Sequence, residues 1–137
     1  MRILAIDYGK KRCGLAVTDP LRLTAQPLKT VATEKLISAF FEFQSGHEEK
    51  IEKIVLGYPI QMNGHPGVAA KQMEGVKDRL EKRLGLPVEF MDERLTTVLA
   101  QRLLTETAGV ASKNQKGIRD MLAAVTLLQE YLKKEHR

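Results

Sequence analysis

The stretch that decides the fold runs from Ile3 to Val17 and reads ILAIDYGKKRCGLAV. Two apolar runs flank a short basic turn, so the stretch predicts a strand, a tight turn and a second strand. Asp7 ends the first strand, where a carboxylate needs a partner because burying an unpaired charge is costly. Beside glycines and three cationic side chains, that partner could be a metal ion that carries a phosphate. Capping of the turn by Asp7 explains the same pattern about as well.

The composition is that of a folded, mildly basic protein. Of the 137 residues, 43% are hydrophobic and 28% are charged, the net charge is +5 and the pI is about 9.4. This length predicts one domain over residues 1–137, and the charge favours a polyanionic partner such as nucleic acid. A single cysteine excludes an intrachain disulfide framework, which fits a cytoplasmic location. No segment has the pattern of a signal peptide or the length of a membrane span, so no membrane partner is expected.

Five segments have the pattern of β-strands. The first two are expected near Arg2–Tyr8 and Arg12–Asp19, and a third near Leu23–Val31 completes an antiparallel meander with them. Short apolar runs at Ile51–Tyr58 and Pro87–Asp92 are typical of buried parallel strands. Strands that later alternate with helices predict an α/β fold with a mixed five-stranded sheet flanked by helices.

Helical spacing predicts four helices, at Thr33–Gln44, Val68–Leu84, Thr96 or Thr97 to Thr107, and Gly117–Lys134. In the first of them, Leu36, Ile37, Phe40 and Phe41 share one face, which should be buried. In the last one, residues 121–128 carry no charge, so this helix should be buried on most of its circumference, with Asp120 at its start. Residues 108–116, which precede it, are expected to form a loop.

Acidic side chains stand at the ends of three of these elements. Asp7 ends the first strand, Asp92 and Glu93 end the last strand, and Asp120 begins the last helix. Groups at the carboxyl ends of parallel strands line the usual ligand crevice of an α/β sheet, and Mg²⁺ prefers oxygen ligands. Each acid also has a simpler explanation. Asp120 could favour the N-terminus of its helix electrostatically, whereas Asp92 and Glu93 could cap the next helix or pair with Arg94.

Four ordered motifs extend over essentially the whole chain. They are Asp7-Tyr8-Gly9-x-x-Arg12-x-Gly14-x-Ala16, Gly57-x-Pro59 with Asn63-Gly64, Asp92-Glu93-Arg94-Leu95-Thr96-Thr97, and Lys116-Gly117-Ile118-Arg119-Asp120-x-x-Ala123-Ala124 with Leu128-Gln129. In this order they closely resemble the YqgF/RuvX family. These are Holliday-junction-resolvase-like nucleases with a ribonuclease H-like fold, associated with processing of the 5′ end of pre-16S ribosomal RNA. The resemblance implies that Asp7, Glu93 and Asp120 are the catalytic, metal-binding acids, with Asp92 as the fallback for Glu93.

The chemistry of such a site explains the residue types. Two Mg²⁺ or Mn²⁺ ions about 4 Å apart can activate an attacking water and stabilise the leaving oxygen of a phosphodiester. Basic residues flank the acids and could hold the phosphate backbone without reading its sequence. They are Lys10, Lys11, Arg12, Arg94, Lys113, Lys116 and Arg119. A solvated loop explains Lys113 and Lys116 about as well. Gly9, Gly57 and Pro59 are expected to form structural turns near the site.

The leading hypothesis is therefore a metal-dependent nuclease that processes precursor ribosomal RNA. Cleavage of four-way DNA junctions is the alternative, because the same two-metal displacement serves both substrates. Actin-like phosphotransferases share the opening turn but need two such domains, and no second Asp-x-Gly turn occurs. A non-catalytic nucleic-acid-binding module is the third reading. For the nuclease we expect Asp7 and Glu93 at the ends of adjacent strands and Asp120 on the last helix, and the chain could act as a homodimer.

Overall fold

The computed structural model describes residues 1–58, 68–92 and 115–135, apart from the side chains of residues 68–70, 92 and 115–117. This part of the chain forms five strands and three α-helices. In chain order they are β1 (Arg2–Tyr8), β2 (Arg12–Thr18), β3 (Ala25–Ala32), a 3₁₀ turn (Thr33–Lys35), α1 (Leu36–Gly46), β4 (Ile51–Tyr58), α2 (Val68–Leu84), β5 (Val88–Asp92) and α3 (Gln115–Glu135). The predicted bounds of β1, β4 and α2 are confirmed. The predicted helix that ends at Thr107 lies outside the described residues.

The strands form one mixed sheet in the order β3-β2-β1-β4-β5. The meander β1-β2-β3 is antiparallel, and β4 and β5 run parallel to β1, as predicted. The expectation that Asp7 and Glu93 follow adjacent strands is wrong, because β4 lies between β1 and β5. After β3 the chain returns to the free edge of β1, where β4 pairs, and β5 then adds to the outer edge of β4. With about 4.8 Å between neighbouring strands, β1 and β5 are about 10 Å apart.

Helices cover both faces of the sheet. On one face α1 and α2 pack against Leu4 and Ile6 of β1, and on the other face α3 packs against Ile3 and Ala5. Successive side chains of a strand point to opposite faces, so the alternation along β1 divides its residues between two cores. Tyr8 belongs to the α1/α2 face, and the same alternation assigns Asp7 to the α3 face.

Two details of the helices differ from the prediction. In α1 the buried residues are Leu36, Ala39, Phe40 and Phe43, whereas Phe41 is 50% exposed, because the buried stripe continues towards Phe43. Helix α3 begins at Gln115 and includes residues 115 and 116, which were predicted to be loop. None of the helices in the described part is long and apolar enough to span a membrane.

Candidate active site

Asp7 has glycines on both sides of it in the sheet. It pairs with Gly14 of β2. On the other side Ile6 pairs with Leu56 of β4, and the same register carried one residue further puts Gly57 beside Asp7. Neighbouring strand residues on the same face normally place their side chains in contact. The two glycines therefore place no side chains beside Asp7 on the α3 face.

Gly14 brings the backbone of α3 into contact with the sheet. A Cβ atom on Gly14 would lie 2.0 Å from the carbonyl oxygen of Asp120 and 2.8 Å from the amide nitrogen of Met121. No side chain fits in that space, so only glycine permits this approach. Since Gly14 is the direct partner of Asp7, the contact holds the backbone of Asp120 next to the strand pair that carries Asp7.

Asp120 faces both a carboxylate and a cation. Burial raises the pKa of its carboxyl group above the ordinary 3.8, and the negative charge of Asp7 raises this pKa further. The Arg12 guanidinium acts in the opposite direction, because its Nε donates a hydrogen bond to Oδ2 of Asp120 at 3.1 Å. Asp7 acts on Asp120 because Gly14, the strand partner of Asp7, contacts the backbone of Asp120. Arg12 was expected to contact a substrate phosphate, but here its side chain binds the Asp120 carboxylate.

Asp120 does not stand at the beginning of its helix. It is the sixth residue of α3, whereas the electrostatic effect of a helix N-terminus is confined to about the first turn. The simpler explanation of Asp120 as a residue that stabilises the N-terminus is therefore wrong. Residues 124–128, one turn further on, are buried, and four of them pack in the core between α3 and the sheet, so the position of Asp120 is set by packing of the helix.

The turn after Asp7 is anchored from the α1 side. The Thr33 hydroxyl donates a hydrogen bond to the carbonyl oxygen of Gly9 at 2.7 Å, and the Thr33 amide donates to the carbonyl of Lys11 at 3.0 Å. The Cys13 thiol lies 3.5 Å from the Thr33 oxygen and is fully buried. Burial raises the pKa of Cys13, so the thiol stays protonated and acts as a small core residue, as predicted. These bonds fix the turn that follows β1.

The predicted phosphate-binding residues are only partly within the described structure. Lys10 and Lys11 are exposed on the turn, and Arg119 is exposed on α3, where its charge lowers the pKa of Asp120. Lys116 is part of α3, but its side chain is not described. Arg94 and Lys113 lie outside the described residues, as does Pro59 of the predicted turn.

The end of β5 carries the third predicted acid. The Glu89 carboxylate accepts a hydrogen bond from Tyr131 of α3, and Met91 packs in the core on the α3 side. Val88 and Phe90 pack in the core on the α1/α2 side. The backbone of Asp92 pairs with Tyr58, but its side chain and all of Glu93 lie outside the described residues. Among the residues that the structure does describe, no three His, Cys, Asp or Glu side chains form a metal-binding group. The third acid stays a prediction.

Sequence reasoning missed two residues that shape this site, Gly14 and Thr33. Gly14 was noticed only as part of a motif, although a glycine inside an apolar strand signals a close backbone approach. Thr33 was interpreted as the start of a helix, and no local signal predicts its bond to a carbonyl 24 residues away.

Comparisons with known proteins agree on one family. The RuvX family, described as Holliday junction resolvase, matches residues 1–134. A protein from Dictyoglomus thermophilum named "Putative pre-16S rRNA nuclease" is 38% identical over 135 residues, which cover 96% of this chain and 95% of that protein. Proteins with the same name from Lactobacillus johnsonii and Bacteroides fragilis are each 41% identical, with coverage of 96% of this chain and 95% of theirs.

One solved structure has the same fold over nearly the whole length of this chain. T. thermophilus RuvC in complex with a Holliday junction substrate superposes with a TM-score of 0.54 over 99% of this chain and 96% of that one. The sequence identity is 14%, so the likeness concerns the fold. The predicted ribonuclease H-like fold, a mixed five-stranded sheet flanked by helices, is confirmed.

Proposed function

The chain belongs to the RuvX family, and we propose that it is a metal-dependent nuclease that hydrolyses phosphodiester bonds in structured nucleic acid. Its substrate is precursor 16S ribosomal RNA, cleaved near the 5′ end in the cytoplasm. The names of the relatives support the substrate, and the family supports the reaction class. A homodimer remains a prediction.

The observation that carries the proposal is the convergence of Asp7 and Asp120. One carboxylate ends a buried strand, the other belongs to a helix whose backbone rests on Gly14, and the charge of the first raises the pKa of the second. Two like charges held together in a partly buried place are unfavourable, and Arg12 offsets this only in part, because the pKa of Asp120 stays raised. A hard divalent cation with oxygen ligands fits this donor set. A purely structural role does not require both acids.

Glu93 supplies the third carboxylate in this proposal. Along β5, Met91 is on the α3 face and Phe90 on the opposite face. The period of two therefore favours Glu93 over Asp92 for the face that carries Asp7. Gly57 of β4 lies between β1 and β5 on that face, and it has no side chain that would separate the acids. A glutamate is one methylene longer than an aspartate, and that reach suits the strand that is farther from β1.

These three acids would hold two Mg²⁺ or Mn²⁺ ions, which supply an activated water and stabilise the leaving oxygen. The protein's own part is to fix the carboxylates on rigid elements and to position the phosphate. Lys10 and Lys11 on the turn and Arg119 on α3 are exposed around the acids and would contact the phosphate backbone. Arg94, Lys113 and Lys116 complete this set in the proposal.

Cleavage of a four-way DNA junction is the second candidate function. The family description and the fold of RuvC favour it. The chemistry of the carboxylates does not distinguish the two, because it acts on the phosphodiester that RNA and DNA share.

A cleavage assay on matched substrates tests the proposal. Wild type and Asp7→Asn are incubated with precursor ribosomal RNA or a four-way DNA junction, with Mg²⁺, with Mn²⁺, or with a chelator. We expect metal-dependent cleavage of the RNA by wild type and none by Asp7→Asn, at unchanged melting temperature or higher. Asp78→Asn, which removes an exposed carboxylate from α2, is the matched control and should cleave normally. Metal-dependent activity that survives in pure Asp7→Asn would overturn the site, and cleavage of the junction alone would replace the substrate.

A further inference from the structure

A cavity of about 130 Å³ lies between α1 and α2, on the face of the sheet opposite to α3. Four polar or charged residues line it: Tyr8 of β1, Thr33 of the 3₁₀ turn, and Arg79 and Arg83 of α2. None of these residues supplies a carboxylate, although Thr33 also anchors the turn that follows Asp7. The cavity therefore needs its own explanation.

Arg79 and Arg83 give the cavity a positive rim. They are one helical turn apart and both are exposed, and neither forms an ion pair within the described part of the chain. By contrast, Lys77 on the same helix pairs with Glu81 at 3.6 Å. Like charges four residues apart destabilise a helix, although Arg83 also lies in the last turn of α2, where a cation is favourable. Two neighbouring guanidiniums can hold a phosphate through paired hydrogen bonds.

The remainder of the cavity is apolar. Leu36 and Ile37 of α1 and Val76 and Leu80 of α2 complete its lining, and Tyr8 contributes an aromatic ring. An apolar cavity with an aromatic side chain and a cationic rim suits a nucleotide, which combines a flat ring with a phosphate. Pockets for whole small ligands measure about 300–1,000 Å³. A cavity of about 130 Å³ admits only one nucleotide. This favours one nucleotide of a polymer over a free cofactor.

The cavity and the carboxylates share one turn of the chain. Tyr8 directly follows Asp7 and points to the opposite face. Thr33, which lines the cavity, also holds the carbonyl oxygens of Gly9 and Lys11. A nucleic-acid strand that crosses this turn from the α3 face to the α2 face would pass from one site to the other. The exposed lysine side chains of the turn lie along that path.

We propose that this cavity binds one nucleotide of a single-stranded part of the substrate, at a distance from the phosphate that is cleaved. Arg79 and Arg83 hold its phosphate, and its base lies against Tyr8 and the apolar lining. This inference rests on the proposed function for the identity of the polymer. It adds a contact on the α1/α2 face, which the carboxylate site does not supply.

An RNA-binding assay tests the proposal. Binding of a single-stranded RNA of about 12 nucleotides is measured by fluorescence anisotropy over a range of salt concentrations, with a chelator present. Arg79→Gln/Arg83→Gln is compared with Lys71→Gln/Lys82→Gln, which removes the same charge from exposed positions of α2 that do not line the cavity. We expect the arginine variant to bind about tenfold more weakly or worse. Its log–log salt slope should fall by about 0.7, since the two arginines hold one phosphate and each lost phosphate contact to a single strand contributes about 0.7. The lysine control should keep the slope of the wild type.

A third variant, Ile37→Phe, fills the cavity without changing the charge. It should weaken RNA binding and leave the salt slope unchanged, with the fold checked by thermal melting. Equal binding and equal slopes for the arginine variant and the lysine control would overturn the inference. Cleavage of the same RNA by wild type with Mg²⁺ is measured in parallel, so that the two proposals can fail separately. A wild type that binds through the arginines but does not cleave would refute the nuclease and support the cavity.

Discussion

Replacement of Gly14 by alanine should separate α3 from the sheet and disable the site without touching a charged group. The new Cβ would meet the carbonyl oxygen of Asp120 at 2.0 Å, its carbonyl carbon at 2.2 Å and the Met121 amide nitrogen at 2.8 Å. All three are backbone atoms, so no change of side-chain rotamer relieves the contact. The helix itself has to move.

The size of the displacement follows from these distances. Ordinary contacts of a Cβ begin near 3.4 Å, so the backbone around Asp120 has to shift by about 1.4 Å to reach that distance. Overpacking of this kind costs about 1–3 kcal/mol, which lowers the melting temperature by about 3–10 °C. A misplacement of about 1 Å in a catalytic group costs about 100-fold in rate. We therefore expect a folded protein with about one hundredth of the wild-type cleavage rate.

Gly75→Ala is the matched control for this experiment. A Cβ on Gly75 would meet no atom within 4 Å, and Gly75 lies inside α2. Alanine in place of glycine within a helix stabilises by about 1 kcal/mol, so Gly75→Ala should melt at a slightly higher temperature and cleave normally. Thermal melting and cleavage rates are measured for both variants at a temperature where both are folded. A Gly14→Ala protein with wild-type stability and activity would refute the close contact between α3 and β2.

Three further predictions concern charged residues. Glu93→Gln should reduce cleavage far more than Asp92→Asn, and the reverse order would move the metal ligand to Asp92. Replacement of Lys10, Lys11, Lys113 and Lys116 by glutamine should lower the log–log salt slope of nucleic-acid binding by about 0.7–0.9 per lost phosphate contact, whereas an unchanged slope would leave these lysines as solvated residues. Because the pKa of Asp120 is raised above 3.8, the folded state binds this proton more tightly than the unfolded state, and the free energy of unfolding should fall as pH rises from about 3.8 through the raised pKa. In metal-free buffer, Asp120→Asn should remove this pH dependence and should melt at a higher temperature than wild type at neutral pH. A lower melting temperature for the variant at neutral pH would contradict the unfavourable burial of the charge.

The strands were predictable because their signal is local. An apolar run bounded by glycine, proline or polar residues fixes a strand wherever it pairs, so β1 and β4 appear with the predicted bounds. The order of the strands was harder to predict from the sequence. Whether β5 pairs with β1 or with β4 depends on which edge is free after β4 has been added, and that choice is made by the whole sheet.

Asp7 and Asp120 could be identified as candidate acids from the sequence, but their surroundings could not. Asp7 and Asp120 stand out in the sequence as charges next to apolar segments. The bond between Arg12 and Asp120 joins residues 108 positions apart, and nothing near either residue indicates it. The exposure of Phe41 depends on which turn of α1 meets the sheet, which helical spacing alone leaves open by one residue.

The site is made as much by missing side chains as by the acids. Asp7 has Gly14 on one side, where the absent Cβ admits the backbone of α3 and with it Asp120. On its other side the register puts Gly57, in the strand that separates β1 from β5. Any larger residue at either position would project on the same face as Asp7 and occupy the space between the acids. In the proposed site, the two neighbouring glycines are what would let a carboxylate on β1 share a cation with groups from a helix and from a strand about 10 Å away.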